Sequence, residues 1–213
     1  AIAKDGGVAA PMSRRRQKLD SRDYIEDARP AGYERMHNPL EPVYDENSRI
    51  LILGSFPSAR SRENGFHYGD PKNRFWKLLA RLFGEPVPAD TAARKALLLR
   101  RGIALWDVVA VCDIKGSSEQ SIRNVVPADI NRILRAAEIQ TVIANGDTAY
   151  RLYQKYCREY TGREAVKCPS TSPSNAIFTL ERLADRWVEA VEPELWIAGA
   201  ENSSQGSIRQ SPE

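Results

Sequence analysis

At 213 residues with 42% hydrophobic side chains, the chain can bury one proper core with tails to spare, and it is too short for an array of large domains. Lys and Arg exceed Asp and Glu by only three, so net charge alone does not announce a nucleic-acid binder. Cys112, Cys157 and Cys168 lack the CxxC spacing of a zinc or iron-sulfur site; neither a run of roughly 18 apolar residues nor a signal peptide is visible, so a cytoplasmic protein with reduced thiols is expected.

Residues 1–38 are polar, carry Arg14-Arg15-Arg16 and lack an amphipathic period, so most of them read as a flexible basic arm able to add nonspecific phosphate affinity. The domain proper is expected over 39–197. Its first strand spans Arg49 to Gly54, where Ile50 to Leu53 form the continuous apolar run of a strand covered on both faces. Gly54 allows close backbone approach and Pro57 stops the pattern. After a polar loop, Asp70 before Pro71 reads as an N-cap with proline at the first helical position. Phe75, Leu78, Leu79 and Leu82 recur at helical spacing and Gly84 follows as a cap, predicting a helix over Asn73 to Phe83. Asn73 then lies in the first turn beside a strand end, where water, phosphate or a nucleobase edge could be held.

Further strands are expected over Gly102 to Val111, Thr141 to Asn145 and Ala165 to Pro169. The helices between and after them are placed over Ala89 to Arg100, Pro127 to Ala137, Asp147 to Tyr160 and near Leu180 to Val191. Alternating strands and helices argue for an α/β domain with a largely parallel sheet, which binds ligands outside the carboxyl ends of its strands. Residues 198–213 lack apolar content and read as a disordered tail.

Four segments carry the chemistry: Gly54-Ser55-Phe56-Pro57; Phe66-His67-Tyr68-Gly69; Pro71-Lys72-Asn73-Arg74-Phe75-Trp76; and the distant Pro169-Ser170-Thr171-Ser172-Pro173-Ser174-Asn175. In order and spacing, from about Leu40 to Leu195, they resemble the uracil-DNA glycosylase superfamily, and within it the hypoxanthine-DNA (deoxyinosine) glycosylases. The resemblance implies a three-layer α/β/α sandwich with a central, mainly parallel four-stranded sheet. It further implies a monofunctional enzyme that flips a deaminated base, hypoxanthine foremost, out of double- or single-stranded DNA. Water attack at the anomeric carbon then releases the base. No metal or organic cofactor, no membrane and no strand cleavage are expected; a monomer is, nucleoid-associated if the source is bacterial. Rival readings are a uracil- or xanthine-preferring glycosylase and a noncatalytic nucleotide- or damaged-DNA-binding module.

Several relatives carry Asp or Asn where this chain has Phe56, and a phenyl ring cannot polarise water. In the hypoxanthine branch the Asn of Pro-x-Asn-x-Phe-Trp takes over, which carries onto Asn73 as a positioner of water rather than a strong base. The family usually has His where Asp70 stands and Gly where Ser58 stands. Asp70 is most simply a cap, although a carboxylate there could accept a proton from water. Ser55, Phe56, Phe66, Tyr68 and Asn145 are the candidates for holding the base, with Phe66 and Tyr68 equally readable as core and Asn145 as a turn residue. Ser58, His67, Lys72, Arg74, Ser170, Thr171, Ser172, Ser174 and Asn175 are the candidates for meeting DNA, His67 as a surface contact. Asp107 could form part of the pocket floor, and Arg123 and Asn124 could also reach DNA. Relatives often begin the last motif with His; here Pro169 follows Cys168, which leaves the donor to the departing base unidentified.

Overall fold

The computed structural model describes residues 29–191. The expected tail at 198–213 lies outside them, as do residues 1–28 of the expected arm, including Arg14-Arg15-Arg16. The chain divides after Ala31, and the unit from Gly32 onward holds the elements that follow.

Strand β1 (Glu34–His37) lies inside the segment expected to be an arm. The apolar run then forms β2 (Ile50–Gly54), buried at every position. Helix α1 (Ala59–Asn64) is capped by Ser58, whose Oγ accepts from Ser61 N at 3.2 Å. Helices α2 (Phe75–Phe83) and α3 (Thr91–Arg100) follow; α2 ends on Gly84 at φ 63°, the left-handed conformation that glycine adopts without strain. The expected strand over Gly102 to Val111 is instead two, β3 (Ile103–Asp107) and β4 (Val109–Ile114). Then come β5 (Arg123–Pro127), α4 (Asn131–Ala136), β6 (Thr141–Asn145), α5 (Asp147–Tyr156), α6 (Arg158–Thr161), β7 (Ala165–Cys168) and α7 over residues 180–191. Pro127 closes a strand rather than opening a helix, and the expected helix through Tyr160 breaks at Cys157.

The four-stranded sheet has the order β3-β2-β6-β7 and is parallel throughout. Successive side chains of β2 point to opposite faces and so feed two cores. Ile50 and Ile52 pack with Phe75, Leu78, Leu98 and Trp187 on one side. Leu51 and Leu53 pack with Ile133, Leu152 and Tyr153 on the other. Helices cover both faces, which is the expected α/β/α sandwich. The sequence reading did not anticipate a second sheet, antiparallel, of order β1-β4-β5. Its middle strand starts one residue after β3 ends. Val108 and Val109 make that transition by donating to the Gly54 and Ser55 carbonyls at 2.8 and 3.1 Å.

Candidate active site

The last residues of β2, β3 and β6 and the segments after β2, β4 and β7 converge on a cavity of about 340 Å³ at the carboxyl edge of the parallel sheet. Its floor explains the glycine that ends β2. A Cβ at Gly54 would lie 2.5 Å from Asp107 Oδ1 and 3.1 Å from the Tyr68 hydroxyl, so only a bare backbone lets those two groups meet over the strand. Asp107, at the end of β3, is buried and accepts from Asn38 Nδ2 at 3.0 Å.

His67 is not the surface contact expected. It is 2% exposed, with Nε2 donating to the Glu41 carbonyl at 3.0 Å and Nδ1 3.5 Å from Asp107 Oδ2. Burial opposes its protonation, but the hydrogen bond and charge of Asp107, helped by the Glu41 carbonyl, outweigh burial and raise its pKa. Phe66 likewise turns into the core, stacked on Trp76 at 6.0 Å between centroids, and does not line the cavity. Tyr68 does. Its ring stacks on Phe75 at 3.9 Å, and it holds a left-handed φ of 51°, unusual for a bulky residue and typical of strain kept at functional sites. Burial, and then the charge of Asp107, keep its phenol protonated far beyond neutral pH.

Asp70 and Asn73 form consecutive turns rather than the first turn of α2. Asp70 Oδ1 accepts from Lys72 N at 2.9 Å, and its carbonyl accepts from Asn73 N at 2.9 Å. Asn73 Oδ1 accepts from Phe75 N at 3.0 Å. The helix begins at Phe75 with Arg74 before it, so Asp70 is not its N-cap. The hydrogen bond to Phe75 fixes the Asn73 amide at the cavity wall, leaving its NH₂ and one oxygen lone pair for a guest.

Arg74, expected on phosphate, is committed inside the protein. Its guanidinium donates to the carbonyls of Ser172 at 2.6 Å, Asn175 at 3.0 Å, Thr171 at 3.4 Å and Phe178. One side chain of the first motif thus clamps the loop of the second. Asn145, at the end of β6, fastens the same loop: its Nδ2 donates to Thr171 Oγ1 at 3.0 Å and Tyr68 OH at 2.9 Å, and its Oδ1 accepts from Thr171 N at 3.0 Å. Asn145 lines the cavity, but its amide is spent on organising the wall, and Thr171 is buried with it. Ser170, Ser172 and Asn175 make bonds within the loop, while Ser58, Lys72 and Ser174 are exposed. Ser55 and Phe56 are buried in the turn after β2 and reach the cavity. Arg123 and Asn124 are engaged within the antiparallel sheet, Arg123 over the Tyr33 ring at 3.7 Å and Asn124 donating to Asp113 at 2.7 Å.

One cavity residue had no sequence signal beyond a polar Ser-Glu turn. Glu119 lies between β4 and β5, and its carboxyl end is drawn in to accept from Ser55 Oγ. The residue as a whole is exposed, but desolvation of its inward-turned carboxyl end and the charge of Asp107 raise its pKa, with the Ser55 hydrogen bond opposing them. Among the described residues no cluster of three or more His, Cys, Asp or Glu is placed to hold a metal ion, and no helix is long and apolar enough to cross a membrane.

An α/β/α sandwich with a polar cavity at its carboxyl edge defines a broad class of ligand-binding enzymes, and comparison with known proteins narrows it. The family model described as "Uracil DNA glycosylase superfamily" matches residues 41–195. Two relatives named hypoxanthine DNA glycosylase are similar to this chain. The one from Methanosarcina acetivorans is 34% identical over 143 residues, covering 66% of this chain and 89% of its own. The one from Methanosarcina barkeri is 36% identical over 154 residues, covering 70% and 94%. A solution NMR structure of a candidate uracil DNA glycosylase from Methanosarcina acetivorans superposes with a TM-score of 0.61 at 30% identity, covering 78% of this chain and 99% of that one. The chain belongs to the uracil DNA glycosylase superfamily. It is a DNA glycosylase, a hydrolase.

Proposed function

We propose that the cavity accepts hypoxanthine flipped from DNA and hydrolyses its bond to deoxyribose, with Asn73 positioning the water. The observation that carries this reading is the convergence of a locked amide, a phenol and three carboxyl groups in one cavity large enough for a purine. The names of the two Methanosarcina relatives support hypoxanthine as the base. Exposed Ser58, Lys72 and Ser174 at the motif loops supply groups suited to phosphate, which would position the strand while the cavity selects the base. Among the described residues lining the cavity none is lysine, which favours simple hydrolysis over Schiff-base strand cleavage. The enzyme works as a monomer in the cytoplasm, where bacterial or archaeal chromosomes lie.

Single-turnover assays on oligonucleotides carrying hypoxanthine, uracil or xanthine, each followed by alkali, test this. Hypoxanthine should be released fastest. Asn73→Ala should slow release on the order of 100-fold, because misplacing a reactant by about 1 Å can cost that much. Faster release of uracil or xanthine would replace the substrate, and binding without release of any base would reduce the chain to a damage-recognition module.

A further inference from the structure

A purine leaves sugar readily only if the negative charge left on its ring is neutralised as the bond breaks. The cavity holds few groups able to supply a proton. His67 has one ring nitrogen on the Glu41 carbonyl and the other facing Asp107. Tyr68 accepts from Asn145 and holds its phenol proton far too tightly to give it up near neutral pH. Asp107 has its oxygens engaged, facing the His67 ring and accepting from Asn38. Asp70 is engaged in its turn through Oδ1. Glu119 differs: among the described residues its carboxyl accepts from a neutral hydroxyl, Ser55 Oγ, on Oε1, and it shares the cavity with the carboxyl groups of Asp70 and Asp107.

We propose that Glu119 is the acid that protonates the departing purine, a role that rests on the glycosylase reading above. Of the three carboxyl groups in the cavity, Asp107 faces the His67 ring, Asp70 is held in its turn and Glu119 faces a hydroxyl, and carboxyls in such different surroundings are suited to different roles. The direction of the Glu119 pKa agrees, since burial and Asp107 together outweigh the Ser55 hydrogen bond. In the step, the C1′–N9 bond breaks with its electron pair going to the base, and the Glu119 proton passes to the imidazole nitrogen N7. The water at Asn73 forms the new C1′–O bond and sheds one proton, which reloads Glu119 through solvent. One water is consumed and no other reactant is required. The antiparallel sheet thereby gains a chemical task, because the turn between β4 and β5 is what carries Glu119 to the cavity.

The test follows single-turnover hypoxanthine release by the full chain from about pH 5 to 9. The charged and titratable groups sharing the cavity with Glu119 are Asp107 from β3, Arg62 from α1, and His67, Tyr68 and Asp70 from the loop before α2. Wild type should lose activity with rising pH as Glu119 deprotonates. Glu119→Gln should be slower by about 100-fold or more and lose that limb of the profile. Ser55→Ala removes the bond that favours the charged form, so the limb should move to higher pH. In the unaltered protein, the Glu119 carboxyl carbon, followed by NMR, should titrate above the ordinary 4.5. A Glu119→Gln enzyme that stays fast, or is slow with the wild-type limb intact, overturns the proposal while leaving the glycosylase standing. Titration of Glu119 at or below its ordinary value overturns it without recourse to any variant. Wild type that releases no base at all removes the glycosylase reading, and this role with it.

Discussion

The two sheets solve different problems. The parallel sheet is buried on both faces, and the strand ends beneath its cavity are fixed by packing from two cores. The antiparallel sheet has β1 and β5 at its edges with side chains partly in solvent, and is tied to the first sheet through the passage from β3 to β4 at Val108. The first holds Asn73, Tyr68, Asn145 and the motif loops in place, while the second delivers a single carboxyl from the side. Under the proposed mechanism, the parallel sheet would fix where base and water sit, and the antiparallel sheet would supply one proton. Substitutions in the two regions should separate along that line.

Gly54→Ala should be the most damaging. The new Cβ would meet Asp107 Oδ1 at 2.5 Å, and Asp107 cannot swing away because it is buried, bonded to Asn38 and beside His67. Overpacking of this kind costs about 1–3 kcal/mol, and displacement of Asp107 and Tyr68 should slow base release on the order of 100-fold. Melting temperature and single-turnover rate, measured together, check it. A variant with a normal rate would show that the floor of the parallel sheet is softer than the contrast between the sheets requires.

That contrast also decided what could be read from the sequence. Thr141 to Asn145 was legible to the residue and Arg49 to Gly54 nearly so, because a doubly covered strand leaves an unbroken apolar run ended by polar or glycine punctuation. Gly102 to Val111 read as one strand because no Gly or Pro marks the change of sheet at Val108; the turn is made by two backbone hydrogen bonds that composition does not encode. Strands β1 and β5 were missed for the opposite reason, since edge strands with exposed faces look like loops. At the site, the motifs pointed to Asn73 and Tyr68, and both line the cavity, Asn73 just ahead of the helix rather than in its first turn. Their partners were not legible: His67 is buried between Asp107 and the Glu41 carbonyl, and Arg74 is engaged by carbonyls nearly a hundred residues along the chain. Glu119 had no sequence signal because its significance depends on Ser55 lying opposite.

Arg74→Ala should come next in effect, and it sharpens the claim that the parallel sheet's loops act as one rigid rim. It removes four guanidinium-to-carbonyl contacts that join the two motifs. With bonds to a charged donor worth about 1.5–3 kcal/mol each but not additive, a loss of about 2 kcal/mol is expected, read as a melting point lower by several degrees. Affinity for abasic-site DNA should fall with it. Arg74→Lys should rescue little, since a point charge cannot reproduce the planar fork. Full rescue by Lys would mean that charge rather than geometry holds the rim.

A smaller, pH-dependent effect should come from His67, which ties the loop before α2 to the end of β3. Its folded pKa lies above the ordinary 6.5, so its protonation favours the folded state. That contribution is fully present below pH 6.5 and is lost as pH rises through the raised value. Denaturation of wild type and His67→Gln between about pH 5.5 and 9 should show the gap between them narrowing toward alkaline pH. A gap constant across the range would show that His67 is neutral when folded and supports the floor by packing alone.

Asp70→Asn should do least, and its smallness carries the argument. Asp70 Oδ1 accepts one backbone N–H in a tight turn, and an asparagine oxygen makes the same turn. A surface-side change that keeps its hydrogen bond normally stays within about 0.5 kcal/mol. If the cavity's proton chemistry belongs to Glu119 and its water to Asn73, the rate and its pH profile should also be unchanged. Had Asp70 served as the base, the rate would fall with no matching loss of melting temperature. Comparing Asp70→Asn with Glu119→Gln on one substrate therefore asks which carboxyl the reaction uses: the one beside the motif, or the one brought in from the second sheet.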